Sequence, residues 1–134
     1  MKIIRELDQS RHILNKIIEQ QKASDNVIKL LYKFHDRLLS QSYKNDKFPI
    51  ARTHSIGITY FCHPKKAFLF LNIHQQFLTL KFFTGAKTIQ GVKKGAWLNK
   101  SDNLGSNPFH VQDEISLTNA LSHSLEAFGI AANW

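Results

Sequence analysis

Cysteine, long apolar runs and mid-chain acids are scarce in this sequence. Its single cysteine cannot form an internal disulfide, so nothing points to an oxidising compartment. The longest apolar run, from Ala67 to Leu71, is far shorter than the ~20 residues that a membrane helix needs. The first ten residues carry several charges and lack the apolar segment of a signal peptide. Together these absences predict a soluble cytoplasmic protein that does not contact a membrane.

Acids are missing from residues 47–101, a stretch that contains nine Lys or Arg residues. Residues 102–134 show the reverse, with four acids and no Lys or Arg. An acid-free segment of this length favours an anionic partner, such as nucleic acid, a phosphorylated ligand or an acidic protein surface. The alternative is a solvated basic surface that keeps the protein, whose net charge is +8, in solution.

The first 46 residues have the apolar spacing of amphipathic helices. One helix is predicted from Ile3 to Ile18, and a second from Val27 to Leu39. Between them, "ASDN" at 23–26 is a break in which Ser24 or Asp25 can cap the second helix. A single long helix with an irregularity at this break is the alternative. The turn-forming sequence "SQSYKNDKFP" is expected to end the helical part.

The middle of the chain has the alternation, and the β-branched and aromatic content, of strands. The segments "SIGITYFCH", "AFLFLNIH" and "FLTLKFFTG" predict an antiparallel meander with turns at "PKK" and "QQ". Residues 86–107 are predicted to be mostly loop, and "FHV" at 109–111 is predicted to be a short fourth strand. A last helix is expected to have Ser116 as its N-cap and to stop at Gly129.

These elements predict an α+β fold with two N-terminal helices, a three- to four-stranded antiparallel meander and one C-terminal helix. The length of 134 residues fits a single domain, which can bury a core without disulfides or metals. Within it, residues 1–46 form the helical part, and residues 54–130 form the sheet and the last helix.

Cys62, His63 and His74 are the residues that first suggest a metal or catalytic site. A three-residue hairpin turn would pair Cys62 with Phe68 and leave His74 about 20 Å away along the strand. Zinc ligands lie within ~2.3 Å of one ion, so this spacing excludes a site that uses all three residues. Cys62 and His63 also point to opposite faces of their strand. Cys62 is therefore interpreted as a small buried hydrophobic residue.

Other constellations for catalysis are also missing from the sequence. One of the three residues could still bind a metal together with His110 or His123, and this alternative stays open. No serine elbow, no pair of strand carboxylates and no phosphate-binding glycine loop is visible. We therefore predict no catalytic residues, no metal and no cofactor, with an enzyme whose site lies in the 86–107 loop as an alternative.

The two faces of the predicted meander differ in composition. A turn at Gln75–Gln76 makes one face wholly apolar, and this face is predicted to be the core. It consists of the pairs Ile73–Leu78, Leu71–Leu80 and Leu69–Phe82, together with Phe61. The second face is mixed and carries Ile58, Tyr60, Cys62, Phe68, Phe70, Asn72, Thr79, Lys81 and Phe83. Either helices or a second subunit cover this face, or it is an aromatic and basic platform for single-stranded nucleic acid.

The segments "ITYFCHPKKAFLFLNIHQQFLTLKFFTG", "GVKKG" and "VQDEISLTNALSHSLEAF" resemble a family of small prokaryotic domains of unknown function. The resemblance covers about residues 54–130 and implies strands joined by a short basic turn, a glycine-containing loop, a short strand and a capped helix. Ser116 stands at the capping position, where the family pattern often has Asp. The family brings no established reaction, and some of its members occur beside nucleic-acid-handling proteins.

The sequence thus predicts a basic module that binds nucleic acid or another anionic partner, such as an acidic protein. The predicted contact residues are lysines of the acid-free segment, namely Lys65, Lys66, Lys81, Lys87, Lys93 and Lys94. The second hypothesis is a protein-interaction or homodimerisation module that uses the N-terminal helices or the second sheet face.

Overall fold

Three helices and six strands make up the computed structural model, which describes residues 11–40, 49–63, 66–83, 97–98 and 108–132. The helices are α1 (Arg11–Gln20), α2 (Asp25–Leu39) and α3 (Glu114–Ala132). The strands are β1 (Ile50–His54), β2 (Gly57–His63), β3 (Lys66–Ile73), β4 (Leu78–Phe83), β5 (Trp97–Leu98) and β6 (Phe109–Val111). Two helices before the sheet and one after it confirm the predicted α+β class. The predicted start of the first helix at Ile3 lies outside the described residues.

The strands form one sheet in the order β1-β2-β3-β4, and both β5 and β6 pair with β4. β6 is antiparallel to Leu78–Leu80, whereas the two-residue β5 is parallel to Phe82–Phe83. The described sheet therefore has more strands than the three or four that were predicted. The additional strands β1 and β5 are too short to show a clear alternation in the sequence, so their existence depends on pairing with their neighbours.

The hairpin between β3 and β4 has the predicted register. Ile73 pairs with Leu78, and the pairs Leu71–Leu80 and Leu69–Phe82 follow along the strands. All six of these side chains are fully buried. This face of the sheet, called the core face below, is therefore confirmed as the inner one.

The predicted register between β2 and β3 is wrong by one residue. Ile58 pairs with Leu71 and Tyr60 with Leu69. The reason is that His63 pairs with Lys66, which leaves a shorter connection than the predicted three-residue turn. A shift of one residue moves every side chain of a strand to the opposite face. Ile58 and Tyr60 therefore lie fully buried on the core face, and Phe61 lies half-exposed on the other face.

Phe68 is also on the core face, although the sequence predicted it on the other one. Tyr60 pairs with Leu69, but the next residue, Phe61, pairs with Ala67, so Phe68 is the extra residue of a β-bulge. The bulge turns its ring inward, where it packs edge-to-face against Phe128 of α3 with 5.2 Å between ring centroids.

The helix ends agree only in part with the prediction. Ser24 caps α2 as expected, since its hydroxyl accepts a hydrogen bond from the Val27 backbone N–H. The predicted cap Ser116 is wrong: α3 begins at Glu114, and the carboxylate of Asp113 accepts the Ser116 backbone N–H at 2.8 Å. The predicted stop at Gly129 is also wrong, because α3 continues through Gly129 to Ala132.

Helices α2 and α3 pack on the core face of the sheet. Phe34 of α2 meets Tyr60 edge-to-face at 6.1 Å, and His123 of α3 meets Phe82 at 6.3 Å. Leu14 of α1 belongs to the same buried cluster.

The opposite side of the sheet is called the open face below. It carries Arg52, His54, Thr59, Phe61, Phe70, Asn72, His74, Phe77, Thr79, Lys81 and His110.

Candidate functional site

Two rows of side chains cross the open face from strand to strand. The first row runs Arg52, Thr59, Phe70, Lys81 from β1 to β4. With strands ~4.8 Å apart, the backbone positions of Arg52 and Lys81 are about 14 Å from each other, and Phe70 lies between them in the row. Arg52 is exposed, and Phe70 and Lys81 are half-buried. The row thus places an aromatic ring between two positive charges.

Arg52 is held in place by an aromatic neighbour. Its guanidinium carbon lies 5.2 Å from the ring centroid of Phe61, which is a cation–π contact. This contact exists because the register of β2 places Phe61 on the open face, across from Ile50 and two pairs along from Arg52 and Thr59. A guanidinium positioned on a ring has less freedom to lose when it binds an anion.

The second row consists of His54, Asn72, Thr79 and His110 on β1, β3, β4 and β6. At its start, the His54 imidazole is hydrogen-bonded to Asn72 and to Thr59 of the first row. Nδ1 of His54 is 2.7 Å from the Thr59 hydroxyl oxygen, and Nε2 is 2.8 Å from Oδ1 of Asn72. In the neutral tautomer, Nε2–H donates to Asn72 and the Thr59 hydroxyl donates to Nδ1. A hydroxyl–imidazole–amide relay of this kind resembles a nucleophile with its base, but the Thr59 residue is only 8% exposed. The relay therefore fixes the orientation of the His54 ring.

Three aromatic rings form a column at the end of the open face near the β3–β4 turn. The centroid of Phe77 lies 4.9 Å from that of His74 and 4.6 Å from that of His110, and both pairs are stacked. The strand order β3-β4-β6 places Phe77 between the two imidazoles. Nε2 of His74 is also 3.0 Å from the Thr79 hydroxyl oxygen. The Thr79 contact therefore attaches the His74 end of the column to the sheet.

The electrostatics of the column favour a neutral His74. Partial burial is the main cause that lowers the pKa of His74, and the nearby His110 lowers this pKa further. A neutral imidazole stacks on a phenyl ring without the cost of desolvating a charge. His74 therefore serves as a structural ring of the column.

Charge is distributed unequally between the two sides of the molecule. The described part of the chain contains six acidic residues, and each of them lies in a helix or directly before one. They are Glu19, Asp25, Asp36, Asp113, Glu114 and Glu126. Glu114, for example, forms ion pairs with Lys33 and Arg37 at 3.3 and 2.9 Å. The open face consequently combines cations, histidines and aromatic rings without a described carboxylate.

Only two of the six predicted contact lysines are described. Lys81 lies on the open face, where it pairs with Phe70. Lys66 pairs with His63 at the start of β3, about 13 Å along that strand from Phe70, so the structure does not bring the two lysines together. The predicted contacts Lys65, Lys87, Lys93 and Lys94 lie outside the described residues, as does nearly all of the 86–107 loop.

Sequence reasoning missed the contribution of Arg52 and His110. Both reach the open face through strand pairing, Arg52 on β1 and His110 on β6. The available signal for Arg52 was its position within the acid-free segment. His110 lies outside that segment, and only its pairing with Thr79 places it on this face.

The described residues contain neither a cluster of metal ligands nor a membrane-spanning helix. No group of three or more His, Cys, Asp or Glu side chains there could hold a metal ion. Cys62 is half-buried and packs against the core, as expected for a small hydrophobic residue. Among the described helices, none has the length and apolar character that crossing a membrane requires.

Comparison of the chain with protein-family models, with curated proteins and with solved structures gave no match.

Proposed function

We propose that this protein is a binding module for single-stranded nucleic acid and that the open face of the sheet is its contact surface. The observation that carries the proposal is the row in which Arg52 and Lys81 flank the ring of Phe70. Such a row, which crosses the sheet from β1 to β4, offers charges to phosphates and a ring to a base.

Charge complementarity supports a polyanionic partner. The acids described in the chain belong to the helices or precede them, so no described carboxylate of the open face repels phosphate. Binding to single-stranded nucleic acid depends on cations such as those of the open face and weakens steeply with salt.

The aromatic content of the face supports single strands over duplex. Phe61 and Phe70 are each half-buried, which leaves part of each ring accessible. A base can stack on such a ring only when it is not already stacked within a duplex. An acidic protein surface would use the cations but would gain little from the rings.

The proposal is tested by fluorescence anisotropy with a labelled oligo(dT) over a series of salt concentrations. We expect salt-dependent binding by the wild type. The variant Arg52→Ala/Lys81→Ala should bind more weakly, and the slope of log affinity against log salt should flatten by about 1.4, since each phosphate contact contributes about 0.7. Phe70→Ala should lose about 1 to 3 kcal/mol of binding free energy without a change of slope.

Lys16→Ala/Lys29→Ala is the matched control, because these exposed lysines lie on α1 and α2 and their loss changes the net charge equally. Equal weakening by both double variants, or a wild type without salt-dependent binding, would overturn the proposal. Stronger binding to a duplex of the same length would reject the single-stranded partner. Equal competition by a polyglutamate peptide would identify an acidic protein as the partner instead.

The predicted lysines of the turns and loop remain part of the proposal. A variant in which Lys65, Lys66, Lys93 and Lys94 are replaced by alanine should further weaken binding and flatten its salt dependence. Unchanged binding by this variant would restrict the contact surface to the open face.

A homodimer through the N-terminal helices is a second candidate, because Ile13 of α1 is 42% exposed. Deletion of the first helix would remove the buried residues Leu14, Ile17 and Ile18 and would therefore damage the core. The substitution Ile13→Glu avoids this problem. If α1 is the dimer contact, this variant should be monomeric by light scattering while the wild type is dimeric; a monomeric wild type would reject the dimer.

A further inference from the structure

The ring column at the corner of the open face is open to extension at one end. His74 is tied to the sheet by its Thr79 contact and by its backbone N–H, which donates to the Phe77 carbonyl oxygen at 3.1 Å. Phe77 stacks on both imidazoles, and β4, which follows it, lies between β3 and β6. His110 is the terminal ring, and its side chain is exposed.

The outer side of His110 lies at the margin of the sheet. In the described part of the chain, β6 pairs with β4 alone, so His110 belongs to the last strand on that side. The imidazole stacks on Phe77 with an interplanar angle of 21°, so its two faces point along the column axis. One face covers Phe77, and the other is directed away from the column.

From these observations we propose that His110 is a stacking platform for one unpaired nucleobase, which would become the fourth ring of the column. This inference rests on the proposed nucleic-acid-binding function and adds a specific base-binding subsite to it. A flat heteroaromatic ring is the ligand that matches the column, because its other members are flat rings separated by 4.6 and 4.9 Å.

The position of Lys81 connects the subsite to the phosphate-binding row. Lys81 lies two residues from Thr79 on the same face of β4, a distance of about 7 Å, and Thr79 pairs with His110. A phosphate bound by Lys81 and a base stacked on His110 are therefore close enough to belong to the same or adjacent nucleotides. A bound nucleic-acid strand would therefore cross the sheet along the row from Arg52 to Lys81 and continue towards the ring column.

The test compares oligo(dT) with an abasic oligomer of the same length, using anisotropy at one salt concentration. His110→Ala should weaken oligo(dT) binding about tenfold and leave binding of the abasic oligomer unchanged, because only a base can stack. His110→Phe should restore oligo(dT) binding, since it replaces one flat ring by another. Equal weakening for both oligomers, or no rescue by phenylalanine, would overturn the subsite.

Failure of the subsite can be distinguished from failure of the proposed function. If the wild type binds oligo(dT) and Arg52→Ala/Lys81→Ala weakens this binding, but His110→Ala does not, only the subsite is rejected. If the wild type binds neither oligomer, the proposed function is rejected together with the subsite.

Discussion

The hydroxyl oxygen of Tyr60 lies 2.9 Å from Nδ1 of His35 within the core. Both residues are buried, and the pair joins α2 to the central strand β2. Removal of one member leaves a buried polar atom without that partner. Tyr60→Phe should therefore lower the free energy of unfolding by about 1 to 3 kcal/mol at neutral pH. Urea denaturation measures this change, and an unaltered midpoint would contradict it.

Tyr60 also predicts a loss of stability at high pH. Burial, and to a smaller extent the charge of Asp36, raise the pKa of Tyr60 far above its ordinary value of 10.0. In the unfolded chain the hydroxyl ionises near pH 10, so its stabilising effect is complete below that pH and declines as the pH rises towards the folded-state pKa. The stability advantage of the wild type over Tyr60→Phe should shrink by up to about 1.4 kcal/mol per pH unit above 10. A constant difference between pH 9 and pH 11 would contradict this prediction.

Two glycines are expected to respond in opposite ways to alanine. A Cβ at Gly57 would clash with the backbone oxygen of Leu71 on the neighbouring strand, which cannot move without breaking the sheet. Gly57→Ala should therefore cost about 3 kcal/mol. A Cβ at Gly129 meets no atom within 4 Å, and this glycine lies inside α3. Gly129→Ala should stabilise the protein by about 0.5 to 1 kcal/mol, measured in the same denaturation series.

The β3–β4 hairpin could be predicted from sequence because a two-residue turn and two alternating segments permit one register. The β2–β3 register could not. The segment "ITYFC" is apolar at both parities, so composition does not decide whether Tyr60 or Phe61 points inward. The bulge at Phe68 and the pairing of His63 with Lys66 decide it, and both depend on tertiary packing.

The candidate site was predictable to a similar extent. The absence of acids indicated a basic surface and identified Lys81, because charge composition is a property of the sequence alone. The aromatic partners changed when the register shifted, since Phe61 replaced Phe68 on the open face. The ring column was not predictable, because His74, Phe77 and His110 meet through the pairing of β6 with β4 across a large sequence separation.

The cap of α2 provides a local test of stability. The Ser24 hydroxyl accepts the Val27 N–H, and the Ser24 backbone N–H donates to the carbonyl oxygen of Gln75 in the β3–β4 turn. Ser24→Ala should cost about 1 kcal/mol because it removes the side-chain acceptor only. Ser24→Asp retains an acceptor and should remain close to the wild type. If both variants lose the same stability, the side-chain cap is not the cause.

Acidification should destabilise the fold through His74 and His123. Burial is the main cause that lowers the pKa of each imidazole; the neighbouring His110 adds to the effect at His74, whereas Glu126 opposes it at His123. Both groups take up protons more readily in the unfolded chain, where their pKa is near 6.5. Their stabilising contribution is thus present above pH 6.5 and is lost as the pH falls through the lower folded-state pKa values. The melting temperature of the wild type should fall between pH 7 and pH 5.

The double variant His74→Gln/His123→Gln separates this effect from general acid denaturation. Glutamine retains hydrogen-bonding capacity at both positions but does not titrate. The variant should be less stable than the wild type at pH 7, because it loses ring packing against Phe77 and Phe82. Its melting temperature should nevertheless change less between pH 7 and pH 5, since the two protonations that favour the unfolded chain are gone. If the melting temperatures of both proteins fall by the same amount between pH 7 and pH 5, other groups control the acid response.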